Sequence, residues 1–198
     1  MKFVLLGAVS IPIAWVAMAA AFLITGAYLA IIRKKATADW YGNAVLAFVF
    51  VWKLSVILFD FRMVLDHPIS ILYFHGGSKG FWLGIAAAIL YIVMSKKKFS
   101  DATFAWLLTI SIYELLFGLL NQDALWILIP QLAANSLFVY LVQSKHHYRW
   151  QVQALILFTF VQALVYSLRG ELFSEPVIVC GWFALFFAIW LKKRSADS

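Results

Sequence analysis

Apolar residues in this chain come in long runs, with neither the 3.6-residue stripe of a half-buried helix nor the alternation of a half-buried strand. Short polar or charged segments separate the runs. A helix that is apolar on every side belongs in lipid or in a large core. About twenty residues, rising 1.5 Å each, cross the hydrocarbon layer of a bilayer. Seven runs meet or approach that length: about Ile11–Ile32, Trp40–Phe61, Phe81–Met94, Asp101–Leu120, Ala124–Val142, Gln151–Leu168 and Glu175–Leu191. A short apolar lead-in precedes the first, set off by Pro12. The third is short, so it is expected to borrow residues from the glycine-rich segment before it or to sit obliquely. The pattern predicts an all-α polytopic membrane protein. It has about seven transmembrane helices in one domain over residues 1–198, with a glycine-rich segment that is re-entrant or interfacial.

Composition supports this. The chain has 198 residues, 65% of them hydrophobic and 13% charged, with a mean hydropathy of +0.91. A soluble domain is nearer half apolar and a quarter charged. The single cysteine, Cys180, excludes an internal disulfide and a CxxC redox pair.

The net charge of +7 would suggest nucleic acid in a soluble protein. Here the cations cluster between apolar runs, which points to topology and anionic lipid instead. Arg33, Lys34, Lys35, Lys96, Lys97, Lys98, Lys145, Arg149, Lys192, Lys193 and Arg194 fall on one side, against Lys2, Arg62, Lys79 and Arg169 on the other. The richer side is expected to be cytoplasmic, with the N-terminus outside and the C-terminus inside. The first run resembles a signal peptide only superficially. It continues to Ile32 and carries its charge on the far flank, as a retained span does.

Ionisable and amide side chains inside spans are expensive, so each is a functional candidate. Lys53, Glu114, Gln131 and Gln162 lie on four different spans, each seven or eight residues from the same membrane surface. That places all four roughly 10–12 Å deep. Gln131 shares a helix face with Asn135, and Gln162 shares one with Tyr166 and Arg169. Two readings fit this layer: a polar chamber open to the outer leaflet, or hydrogen bonds and an ion pair that join helices. His146 and His147 are adjacent and so point apart, a poor metal pair. No metal or cofactor is expected.

The segment from Asp60 to Gly84 concentrates the remaining chemistry: Asp60, Arg62, Asp66, His67, His75 and Lys79, with Gly76 and Gly77. His75 has the ordinary acidity of a general base. The glycines after it would let a backbone approach a ligand closely. Arg62, Lys79 and Arg169 share that side and would neutralise a phosphate. Asp66-His67-Pro68 reads as a turn.

Phe74-His75-Gly76-Gly77-Ser78-Lys79-Gly80 resembles the FHGGxxG motif of the prolipoprotein diacylglyceryl transferase family. Lys53 through Leu72 resembles that family's second helix and the segment after it. Pro130-Gln131-Leu132 resembles its PxQL element, and Phe158–Arg169 its late arginine-bearing helix. The resemblance implies a bacterial inner-membrane enzyme that moves a diacylglyceryl group from phosphatidylglycerol to the cysteine of a lipoprotein precursor. It implies His75 as the base and Lys53 and Arg169 as phosphate ligands, with Glu114 orienting one of them. Gly76, Gly77, Gln131 and Gln162 would complete the lipid site.

Several family positions differ. Leu119 stands where the signature arginine belongs, Gln162 and Tyr166 replace an arginine and a glutamate, and Val16 replaces a tyrosine. A leucine cannot supply a bidentate fork to phosphate. Four function classes therefore remain: a transferase, a non-catalytic lipid- or lipoprotein-binding partner, a small-solute carrier or its substrate-binding membrane subunit, and a purely structural assembly factor.

Overall fold

The computed structural model describes residues 3–6, 9–32, 35–67, 76–95, 99–144, 148–171 and 174–196. A two-stranded antiparallel hairpin comes first, β1 (Phe3–Leu6) and β2 (Val9–Pro12), with Phe3 opposite Pro12 and Leu6 opposite Val9. The helices follow: α1 (Ile13–Ile32), α2 (Lys35–Leu54), α3 (Val56–Phe59), α4 (Phe61–Asp66), α5 (Gly77–Met94), α6 (Phe99–Asn121), α7 (Leu125–Ser144), α8 (Tyr148–Leu168) and α9 (Glu175–Ala196). Among the described residues six helical spans are long and apolar enough to cross a membrane, α2 being counted together with α3. The apolar part of α9, Glu175–Trp190, is shorter. Apart from the N-terminal hairpin the described elements are all helices, and the chain is a multi-pass membrane protein.

Helix boundaries differ from the sequence expectation in three informative places. Ile11 and Pro12 pair in β2, so the first helix starts at Ile13. The second run breaks at Ser55, whose hydroxyl donates to the Trp52 carbonyl at 2.7 Å. The third span does draw on the glycine-rich segment, beginning at Gly77 instead of Phe81.

The chain divides into two compact units, Gly26–Lys98 and Met1–Thr25 with Phe99–Ser198, the division falling within α1. In the first unit α5 packs along α2. Gly76, Gly80 and Gly84 recur every fourth residue, so they lie on one face. Gly76 and Gly80 meet Ser55, and Gly80 also meets the Trp52 carbonyl. Gly84 meets Phe48. Small residues at this spacing let two backbones approach, which is how membrane helices associate without a hydrophobic drive between them. The seam is closed above by rings: Phe81 stands edge-on to both Phe48 and Trp52. At its far end Trp40 Nε1 donates to Ser95 Oγ at 2.7 Å.

In the second unit α7 packs against α6 and α8, and α8 against α9. Phe158 sits edge-on to Phe138 between α8 and α7, and Trp106 of α6 stacks on Phe183 of α9 at 3.7 Å. Helices α6 and α8 both end in a Schellman turn. The N–H of Asp123 bonds the Gly118 carbonyl and that of Gln122 bonds Leu119. Likewise Glu171 bonds Tyr166 and Gly170 bonds Ser167. Such turns require a left-handed residue. Gly170 (φ 76°) takes it without strain, whereas Gln122 (φ 58°) does not. Replacing Gln122 by Gly is expected to stabilise the fold by about 0.5–1 kcal/mol, and Gly170→Ala to destabilise it by a similar amount. Unfolding midpoints in detergent would show both; shifts of the same sign would overturn this account.

Candidate functional site: a buried amide chain beside a lateral groove

The two Schellman turns bring opposite charges together. One ends α8 so that Arg169 points back over the helix, and the other places Asp123 just beyond α6. Arg169 Nη2 lies 2.8 Å from Asp123 Oδ2, and its Nη1 lies 3.4 Å from Glu114 Oε2. Asp123 is itself held by Asn121 Nδ2 at 2.8 Å. The Arg169 guanidinium also stands 5.0 Å from the centre of the Tyr166 ring. Its side chain is 7% exposed and that of Glu114 1%, so this is a buried ion-pair triad.

Below it three amides form a directed chain. Arg169 Nη2 donates to Gln131 Oε1 at 3.0 Å, Gln131 Nε2 to Gln162 Oε1 at 3.2 Å, and Gln162 Nε2 to Asn135 Oδ1 at 2.8 Å. Gln131 Nε2 also donates to Glu114 Oε2 at 3.0 Å, and Tyr166 donates to Glu114 Oε1 at 2.9 Å. The direction follows from chemistry, because a guanidinium only donates and a carboxylate only accepts. Gln131 must therefore turn its oxygen to Arg169 and its nitrogen to Glu114. Each amide orients the next. The chain ends on Asn135 Nδ2, which has no hydrogen-bond partner among the described residues. Asn135 is 1% exposed.

The sequence-derived candidates divide as follows. Glu114, Gln131, Gln162 and Arg169 meet, and Asn135 and Tyr166 join them from the helix faces expected. Lys53 lies on α2, in the other unit, in that helix's last turn where the helix dipole favours a cation. His75 lies outside the described residues. Gly76 is buried in the α2–α5 seam, which gives it a packing role. Gly77 has φ 58° and open space where a Cβ would stand, and its carbonyl accepts from Trp52 Nε1 at 3.3 Å. Among the described residues no group of His, Cys, Asp or Glu is placed to hold a metal.

Among the described residues the amides of this layer bond one another. Between α6 and α7, the space lined by Ser111, Leu115, Leu128, Gln131, Leu132 and Asn135 leaves no room for a water. Further along the same two helices it opens into a groove of about 280 Å³. Leu108, Ile112, Leu115, Leu132 and Val139 make it mostly apolar, with Ser111, Asn135, Ser136, Tyr140 and Gln143 as its polar groups. Sequence reasoning missed both Asp123 and the groove. Asp123 had a legible signal, an acid in a turn on the same side as Arg169. The groove had none, since it depends on how far two helices part.

No family model matches the chain, nor does any curated protein or solved structure.

Proposed function

We propose that this chain is a lipid-binding membrane protein of diacylglyceryl-transferase type that holds its lipid without transferring the diacylglyceryl group. It resides in a bacterial inner membrane with α9 as a seventh span, its N-terminus outside and its C-terminus inside. A phospholipid and a lipoprotein precursor are its partners. The observation that carries the reading is the lateral groove between α6 and α7, large enough for part of an acyl chain, with Leu, Ile and Val as half of its lining residues. Arg169 supports the absence of transfer. Its fork is closed on Asp123, Glu114 and Gln131, so binding a phosphate there would mean breaking a buried ion pair.

Reconstitution with labelled phosphatidylglycerol and a lipobox peptide tests the proposal. Retained lipid with no labelled peptide is the expected result. Labelled peptide from the purified chain, lost in His75→Ala, would establish the transferase instead. A chain that retains no lipid and accumulates a small solute in vesicles would favour the carrier reading.

A further inference from the structure

The groove between α6 and α7 has a direction. Leu132, Ser136, Tyr140 and Gln143 line it from α7 at helical spacing, so they follow one face. Gln143 stands next to Ser144, where α7 ends, and Leu132 lies near the middle of the helix. At 1.5 Å per residue the lining extends along about 16 Å of α7. Half of a hydrocarbon layer roughly 30 Å thick is about the same length. The groove therefore has the depth of one leaflet, measured from the C-terminal end of α7. Toward the other end of the helix the space beside Leu128 and Gln131 admits no water.

Its walls change along that length. Leu115 and Leu132 make the deep end, whereas Tyr140 and Gln143 make the shallow end. Tyr140 is 64% exposed, and Gln143 is exposed as well. A phospholipid has the matching order. Its acyl chain is apolar, and its ester oxygens, at the edge of the hydrocarbon, accept hydrogen bonds that a Tyr hydroxyl and a Gln amide can donate. Tyrosine is also favoured at that depth, where its ring is in lipid and its hydroxyl in water.

Charge selects the head. A short turn joins α6 to α7, so the start of α6 and the end of α7 lie at one surface. In the sequence Lys96, Lys97 and Lys98 directly precede α6, and Lys145 directly follows α7. Cations next to a membrane surface attract anionic headgroups.

We propose that the α6–α7 groove takes an acyl chain of an anionic glycerophospholipid seated in the leaflet at the C-terminal end of α7. Arg169 and Asp123 stand at the opposite end of that helix, so the lipid head and the ion-pair triad do not meet. The inference rests on the lipid-holding reading above and states from which surface the lipid enters and with what head.

Photocrosslinking tests it. One equivalent of phosphatidylglycerol would be added to the purified, delipidated full chain in detergent, carrying a diazirine either near the ester or at the methyl end of one acyl chain. Mass spectrometry would then locate the label. The ester-proximal probe is expected to mark Tyr140 and Gln143, and the methyl-end probe Leu115 and Leu132. Ser136→Phe, at an exposed position midway along the groove, should lower both labels at least tenfold. Phosphatidylcholine with the same diazirines should label on the order of fivefold less, the effect of one nearby lysine. The reverse order of labels would mean entry from the Arg169 surface and would overturn the inference. So would labels outside the groove, labels unchanged in Ser136→Phe, or equal labelling by phosphatidylcholine. Each of these leaves the lipid-holding function standing. A chain that neither takes label nor copurifies with lipid would overturn both.

Discussion

Replacing Arg169 by Met is expected to destabilise the protein by about 3–5 kcal/mol, the usual loss when one partner of a buried ion pair is removed. The reason is what stays behind. Glu114 and Asp123 would remain in a setting where the side chains are 1% and 10% exposed, with their shared cation gone. Tyr166 and Gln131 would still donate to Glu114, but neutral dipoles do not replace a guanidinium. The amide chain would lose its fixed end as well. Gln162→Met removes two neutral bonds and is the comparison, since interhelical hydrogen bonds in membranes average about 0.6 kcal/mol and reach about 1.7. It should therefore be destabilising by about 1–2 kcal/mol, well short of the arginine variant. Adding Glu114→Gln to Arg169→Met should recover part of the loss by removing one of the two unpaired charges. Unfolding by SDS titration in mixed micelles, followed by circular dichroism, gives all three values. A pair this buried is poorly screened, so added salt should leave the differences intact. An Arg169→Met variant no less stable than Gln162→Met would show that the triad is not held as an ion pair.

The same cluster shows what the sequence made legible. Residue counts from helix ends give depth, because rise per residue is constant. Depth put Glu114, Gln131 and Gln162 in one layer, where the structure has them bonded. Helix faces, from 3.6-residue periodicity, added Asn135, Tyr166 and Arg169 correctly. What residue counting does not give is rotation of one helix against another, nor which helices are neighbours. Lys53 shares the layer by count yet belongs to the Gly26–Lys98 unit. The two readings of the polar layer, a chamber and bonds that join helices, differ in the same respect, since equal depth is compatible with side chains that surround a space or fill it. Here Gln131 joins Glu114 to Gln162, and Gln162 joins Gln131 to Asn135.

Glycine was legible in kind but not in role. The motif around His75 drew attention to Gly76 and Gly77 as a place for a ligand to approach. The partner that approaches Gly76 is Ser55 of the neighbouring segment. The spacing of Gly76, Gly80 and Gly84 was present in the sequence as a repeat of four, the signature of helix contact. A histidine–glycine motif and a helix-packing glycine repeat thus share two residues, Gly76 and Gly80. Substitution of Gly76 would report on packing before it reported on chemistry.

Gly84→Val is expected to be destabilising by about 3 kcal/mol, at the upper end of what overpacking produces, and it tests that seam directly. A Cβ at Gly84 would stand 2.8 Å from the Phe48 carbonyl oxygen and 3.0 Å from its ring. The ring can turn, but the carbonyl belongs to the backbone of α2, so the two helices must part. Parting them would also disturb the edge-on contacts of Phe81 with Phe48 and Trp52. Gly80→Ala meets a different obstacle, for its nearest neighbour is the Ser55 hydroxyl, a side-chain atom. Ser55→Ala removes that oxygen at the expense of one local bond to the Trp52 carbonyl. The combination should therefore recover much of the Gly80→Ala loss, although the Trp52 carbonyl at 3.2 Å still limits it. Ser55→Ala should do nothing for Gly84→Val, whose clash lies elsewhere along the seam. Stability of the five variants, measured against the parent in one detergent, separates the two obstacles. Rescue of Gly84→Val by Ser55→Ala, or a Gly84→Val variant as stable as the parent, would mean that α2 and α5 are not packed along this glycine face.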